Sequence, residues 1–105
     1  MDFELGQLVK SLAGRDKDKH YLVVGFAEDR VLLSDGRCRP LNRVKKKNSK
    51  HLQPYNCVVP GIKERIRQGN LTDTILRNTL NSLLSAENSG KECPHYLRTS
   101  LLHGG

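Results

Sequence analysis

Apolar residues alternate with polar ones in the first half of the chain and recur every three or four residues in the second half. Two apolar runs at residues 5–12 and 20–26 flank the polar segment 13–19, a pattern typical of two β-strands joined by a turn. A third strand is expected at residues 30–34. Asp35-Gly36 then favours a tight hairpin, because both residues accept positive φ, so residues 37–41 are expected to return as a fourth strand. Short strands in such close succession predict a small antiparallel barrel or sandwich.

The end of the β region is predicted from sparse apolar positions. Residues 42–50 contain one apolar residue, Val44, and are expected to form an exposed basic loop or strand rim. Leu52 resumes the apolar pattern, and residues 57–59 complete it. Pro54 has no backbone N–H to donate, so it predicts an edge strand or the end of a strand.

Two helices are predicted after Pro60-Gly61. Ile62 and Ile66 lie four residues apart and Gly69 stands where a helix C-terminus is expected, which indicates a helix of about two turns. A second helix is predicted from Thr72, as N-cap, to Ala86. Its apolar stripe needs a surface to pack on, most simply the β region, and consists of Ile75, Leu76, Leu80, Leu83 and Leu84.

The length of 105 residues fits one small domain and excludes a two-domain enzyme. Leu and Val dominate the apolar residues and Trp is absent, so the core is expected to be modest. The expected organisation is a β domain at residues 1–59, a helical extension at 60–86 that packs on it, and a flexible tail at 87–105.

The net charge of +7 is concentrated in one segment. Residues 36–55 contain seven Lys and Arg residues and no acid, whereas the other eleven Lys and Arg residues are balanced by eleven acids. Such a segment attracts polyanions through its field and through release of condensed counterions, which places nucleic acid first among the expected partners. The alternative is a solvated loop with no ligand.

The turn at residues 13–19 is a second candidate phosphate site. Gly14 allows a close approach of the backbone to a ligand, and Arg15, Lys17 and Lys19 surround it. On composition alone, a plain hairpin turn explains the same residues, because two Asp residues offset two of the three positive charges.

A resemblance to a known family brings these segments together. The run from Gly6 to Lys17, followed by the apolar strand 21–24, resembles a KOW motif, the RNA-binding signature of several ribosomal proteins and transcription elongation factors. The similarity extends to Asp35-Gly36, to the bases that follow it and to residues 45–52. The chain is thus similar, over about residues 3–85, to bacterial KOW-domain proteins related to the fourteenth large-subunit ribosomal protein of archaea and eukaryotes. Asp18 stands where this family usually has Gly, and Asp tolerates left-handed backbone better than most residues.

The resemblance implies a fold that is mainly β with C-terminal helices, namely a small SH3-like antiparallel barrel of five strands followed by two short helices. It also implies a non-catalytic, ribosome-associated RNA-binding protein, with ribosomal RNA as the expected partner and ribosomal proteins as further candidates. The expected RNA-binding residues are Gly14, Arg15, Lys17, Lys19, Arg37, Arg39, Arg43, Lys45, Lys46, Lys47, Lys50 and His51.

The residues give little support to an enzyme. Cys93 and His95 lie two apart, but the paired knuckles of a structural zinc site are absent, as are a phosphate-binding loop and a dinucleotide-binding turn. No cofactor, metal or small-molecule substrate is expected. Three Cys without CxxC spacing, no leader pattern and no apolar run long enough for a membrane span together predict a reduced, cytoplasmic protein.

The aromatic residues decide what kind of RNA recognition is expected. Phe3, Tyr21, Phe26 and Tyr55 are all expected to be needed for the core, with Tyr55 at most available for stacking on bases. Recognition by shape and phosphate is therefore predicted. The main alternative is a protein-interaction module that docks through the β domain or the Leu-rich helix, and non-specific DNA binding is a third possibility.

Overall fold

The computed structural model describes residues 3–88, which form a five-stranded antiparallel sheet followed by two helices. The strands are β1 (Gln7–Ser11), β2 (His20–Ala27), β3 (Arg30–Ser34), β4 (Lys45–Asn48) and β5 (Leu52–Val58). The helices are α1 (Pro60–Gln68) and α2 (Asp73–Asn88), and two 3-10 turns cover Leu41–Arg43 and Ser49–His51.

The sheet has the order β4-β3-β2-β1-β5, so the two edge strands are consecutive in the chain. Only the 3-10 turn Ser49–His51 connects them. The four Cα steps from Asn48 to Leu52 span at most about 14 Å, whereas the edges of a flat five-stranded sheet lie about 19 Å apart. The sheet must therefore curl, and the Leu12 N–H, just after β1, donates to the His51 carbonyl oxygen at 2.9 Å.

The sheet is curled but not closed, since no strand pairing joins β4 to β5 within residues 3–88. The predicted fold class, mainly β with C-terminal helices, is confirmed. The finer prediction of a barrel is not established, because the sheet is open between β4 and β5.

Both faces of the sheet are buried. The concave face carries one apolar cluster, which includes Tyr21 and Val23, and the convex face carries a second cluster, which includes Leu22. Successive residues of a strand point to opposite faces, so a strand that is covered on both sides needs a continuous apolar run rather than alternation. This explains why residues 21–24 are uniformly apolar.

The helices cover the convex face, as the sequence predicts. Leu76, Leu80 and Leu83 of α2 are buried against Leu8 and Leu22 of the sheet. The Thr72 hydroxyl accepts a hydrogen bond from the Ile75 N–H at 3.3 Å, which confirms Thr72 as the N-cap. Gly69 ends α1 with φ of 75°. The backbone of α2 continues to Asn88, so the first two residues of the tail predicted at residues 87–105 are helical instead. The rest of that predicted tail, with Cys93 and His95, lies outside the described residues.

The prediction of a fourth strand at residues 37–41 is wrong. The segment does not form a hairpin, because the Asp35 carboxylate accepts hydrogen bonds from the N–H groups of both Arg37 and Arg39, each at 2.9 Å. These bonds satisfy the backbone locally, and Pro40 has no N–H for a ladder. The fourth strand is Lys45–Asn48, inside the segment that was expected to be a loop or strand rim.

The prediction that Phe26 belongs to the core is also wrong, because this residue is 41% exposed. It lies near the end of β2, beyond a register shift between Val23 and Gly25. Tyr21 is buried as predicted, and Phe3 packs against the concave cluster. Pro54 lies in the edge strand β5, which agrees with the sequence analysis.

Candidate nucleic-acid interface

The basic segments meet at one end of the sheet. The β1–β2 turn ends where β2 begins, at His20. The last residue of β3, Ser34, pairs with Leu22, only two residues from that same end of β2, and the β3–β4 loop starts there. Both connections therefore leave the sheet at the same end. Lys47 of β4 reaches the same turn, with its Nζ 2.7 Å from the Ala13 carbonyl oxygen.

The β1–β2 turn is held by its own backbone. The N–H of Asp18 donates to the Ser11 carbonyl at 2.8 Å, and the N–H of Lys17 donates to the Gly14 carbonyl at 3.2 Å. Gly14 has φ of 86° and Asp18 has φ of 72°, so both residues adopt the left-handed backbone, which Gly accepts freely and Asp tolerates better than most residues. This compact turn projects three exposed bases, Arg15, Lys17 and Lys19.

A buried carboxylate lies beneath these exposed bases. Asp16 is only 7% exposed, and its Oδ1 accepts hydrogen bonds from the Ser11 hydroxyl at 3.0 Å and from Lys47 Nζ at 2.9 Å. The Tyr21 hydroxyl lies 3.5 Å from Oδ2, and Lys45 Nζ lies 3.7 Å from the same oxygen. We call these five residues, Ser11, Asp16, Tyr21, Lys45 and Lys47, the Asp16 cluster.

The cluster shifts the ionisation of two of its members. Burial opposes the charge on Asp16, but the hydrogen bonds from Lys47 and Ser11 and the charges of Lys45 and Lys47 lower its pKa from 3.8 to about 2. Burial and the charge of Asp16 raise the pKa of the Tyr21 hydroxyl from 10.0 to about 12. Asp16 is therefore a carboxylate at neutral pH, and its charge is balanced inside the protein rather than against the exposed bases of the turn.

The three lysines of β4 have different surroundings. Side chains at alternate positions of a strand share a face, and Lys45 and Lys47 both point towards Asp16. Their side chains are 28% and 11% exposed. Lys46, between them, is exposed, as are Lys50 and His51 in the following 3-10 turn.

The β3–β4 loop is fixed against the start of α2. The Asp73 carboxylate accepts a hydrogen bond from the Leu41 N–H at 2.7 Å, and the Arg77 guanidinium donates to the Gly36 carbonyl at 2.9 Å. A Cβ on Gly36 would clash with the Asp73 carbonyl oxygen. Among the bases of this loop, Arg37 and Arg43 are exposed and Arg39 is half-buried.

Eleven of the twelve predicted site residues thus fall into two groups, and the half-buried Arg39 belongs to neither. Lys47 and Lys45 are directed inwards to Asp16, which the sequence does not predict, because in sequence Asp16 is only an acid that offsets a neighbouring positive charge. Nothing in the run Lys45-Lys46-Lys47 distinguishes one lysine from the next or identifies Asp16 as the partner across the fold. The exposed predicted residues are Gly14, Arg15, Lys17, Lys19, Arg37, Arg43, Lys46, Lys50 and His51.

Other features of the described residues give no further candidate for a ligand site. His20 Nε2 of β2 lies 2.9 Å from the Tyr55 hydroxyl on β5. Cys38 is a free, exposed thiol in the β3–β4 loop. Residues 3–88 contain no group of three or more His, Cys, Asp or Glu side chains placed to hold a metal ion. They also contain no helix that is long and apolar enough to cross a bilayer.

Comparison of the chain with models of known protein families gives no match, and comparison with curated proteins gives none either.

Proposed function

We propose that this protein is a non-catalytic RNA-binding protein of ribosome-associated type, which holds structured RNA at the end of the sheet where the basic segments meet. The observation that carries this proposal is that the β1–β2 turn and the β3–β4 loop, which both carry exposed basic residues, leave the sheet at the same end, where β4 also reaches the turn through Lys47. The KOW resemblance of the turn agrees with it.

The arrangement of these side chains suits contact with RNA phosphates better than contact with nucleobases. Lys and Arg side chains bind phosphate oxygens through charge-assisted hydrogen bonds, and Arg does so in a bidentate manner. Tyr21 is buried in the concave cluster, and Tyr55 packs partly against the convex one, so large flat surfaces for stacking on bases are scarce at this end. Shape and phosphate readout of folded RNA follows from this supply of side chains.

Salt dependence tests the electrostatic basis. If about five exposed bases neutralise phosphates, the logarithm of the association constant for a stem-loop RNA falls against the logarithm of the salt concentration with a slope of about −3.5 to −4.5. A slope near zero would overturn the proposal.

The position of the RNA-binding site on the protein is tested by sedimentation of the tagged chain through a lysate gradient. The informative variant is Lys46→Gln with Lys50→Gln, because these bases are exposed and outside the Asp16 cluster. The matched control is Arg65→Gln with Arg67→Gln, which removes the same charge from α1. This helix begins near Gly6, at the opposite end of β1 from the turn.

Three outcomes separate the possibilities. The proposal is supported if the wild type and the Arg65/Arg67 control co-migrate with the large ribosomal subunit and the Lys46/Lys50 variant no longer does. If co-migration is reduced equally in both variants, the positive charge acts diffusely and there is no localised binding site. A wild-type chain that stays at the top of the gradient would remove the ribosome assignment, and RNA binding would then rest on the stem-loop measurement.

A protein-interaction module has less support. Its strongest argument would be exposure of Leu76, Leu80 and Leu83, and all three are buried against the sheet. A pull-down partner that survives both ribonuclease and high salt would nevertheless favour it. A cytoplasmic location is part of the proposal, and the exposed Cys38 thiol is consistent with a reducing compartment.

A further inference from the structure

Lys47 differs from the neighbouring bases in what its ammonium group contacts. Its Nζ lies 2.9 Å from Asp16 Oδ1 and 2.7 Å from the Ala13 carbonyl oxygen, and its side chain is 11% exposed. An ammonium group has three protons, and two of them are directed to these oxygens. Lys46, one residue earlier, is exposed.

Both contacts of Lys47 lie in the β1–β2 turn, although Lys47 itself belongs to β4 at the edge of the sheet. Ala13 and Asp16 flank Gly14 and Arg15, which face the solvent. Asp16 is tied in addition to Ser11 at the base of the turn, at 3.0 Å. The ammonium group therefore connects the turn to the far edge of the curled sheet.

We propose that Lys47 is a positioning residue, which fixes the β1–β2 turn in its RNA-binding conformation through Asp16 and does not itself bind phosphate. Arg15, Lys17 and Lys19 then present their charges from a rigid turn, so less conformational entropy is lost when RNA binds. Release of Lys47 to reach a phosphate would leave the Asp16 carboxylate buried without its closest cation, which opposes such a movement. This inference rests on the proposed RNA binding for its functional part only.

Salt dependence separates positioning from contact, because only a base that neutralises a phosphate contributes to the slope. Lys46→Met and Lys47→Met remove one charge each from adjacent positions of β4. With a fluorescein-labelled RNA stem-loop, Lys46→Met is expected to reduce the magnitude of the slope by about 0.7 to 0.9. Lys47→Met is expected to leave the slope unchanged and to weaken binding about tenfold, through loss of turn order.

A double variant, Asp16→Asn with Lys47→Met, covers the case in which Lys47→Met does not fold. It removes the buried pair together, so the net charge equals that of the wild type and no buried charge is left unpaired. We expect a wild-type slope with weaker binding. A slope reduced by about 0.7 to 0.9 in this variant would mean that Lys47 contacts phosphate, and would overturn the inference.

Amide hydrogen exchange without RNA tests the structural part independently. The Asp18 and Lys19 N–H groups donate within the turn, to the Ser11 and Asp16 carbonyls, while the Gly6 N–H donates to Val23 at the opposite end of β1. Both Lys47 variants are expected to accelerate exchange of the two turn amides about tenfold or more without a comparable effect at Gly6. Unchanged turn exchange would refute the positioning role. If the wild type fails to bind RNA but turn exchange responds, the proposed function fails and the structural role of Lys47 stands.

Discussion

Replacement of Asp16 by Asn removes the negative charge of the Asp16 cluster while keeping the size of the side chain. The folded protein lowers the pKa of this carboxyl from 3.8 to about 2, so the native state favours the ionised form. This shift corresponds to about 2 kcal/mol of stability at neutral pH. We expect Asp16→Asn to lower the free energy of unfolding at pH 7 by at least about 2 kcal/mol, since it also leaves Lys47 without its anionic partner.

The pH dependence of this loss has a defined sign. A carboxyl with a depressed folded pKa contributes its full stability above its unfolded pKa, and the contribution disappears as the pH falls through the folded pKa. The advantage of the wild type over Asp16→Asn should therefore be constant above about pH 5 and shrink between about pH 4 and pH 2. Other carboxyl groups titrate in both proteins and cancel in the difference.

Urea denaturation of both proteins at several pH values measures this difference. Asp18→Asn is the matched control, because it makes the same chemical change in the same turn at an exposed side chain, and Asn also accepts the φ of 72° found there. The control should change the unfolding free energy by less than about 0.5 kcal/mol. A wild-type advantage that is absent at pH 7, or that does not depend on pH, would refute the electrostatic account of the cluster.

Two further predictions concern the packing around the site. Gly36→Ala should lower the free energy of unfolding by at least about 2 kcal/mol in thermal or urea denaturation, because the new Cβ would clash with the Asp73 carbonyl oxygen of α2 and φ is 72°. The control Gly61→Ala, whose Cβ would have no atom within 4 Å, should be neutral or stabilising, and equal effects of the two variants would contradict this reasoning. Tyr21, 3% exposed with a pKa of about 12, stays neutral in the folded state above its usual pKa of 10.0, so stability should fall as the pH rises between these values. Tyr21→Phe should flatten that fall and remove the tyrosinate absorbance step near pH 12, whereas an unchanged step would assign it to another tyrosine.

Local signals in the sequence account for much of the fold. The third strand, Arg30–Ser34, has the predicted bounds, and Thr72 and Gly69 occupy their predicted capping positions. Each of these depends on residues that are neighbours in the chain. The position of β4 was missed because Asp35 and Ser34 satisfy the backbone of the loop by side-chain hydrogen bonds, which compete with the hairpin that Asp35-Gly36 favours.

The division of the basic residues could not be predicted from the sequence. Lys46 and Lys47 are chemically identical neighbours, and their different surroundings depend on Asp16, which lies 31 residues away from Lys47 in the chain. Only the curl of the sheet brings β4 to the β1–β2 turn. A charge count treats Asp16 as a surface acid, whereas the fold uses it as a buried anchor.

The position of the lysine run in an edge strand has a consequence for solubility. β4 pairs with β3 on one side only within residues 3–88, so its other side presents backbone groups to which another chain could add a strand. Lysines along such an edge oppose this addition, because a second lysine-rich copy would bring like charges into register and bury them. Variants that replace several of these lysines with apolar residues would favour intermolecular strand pairing, whereas replacement of one lysine, or replacement by glutamine, leaves most of this protection in place.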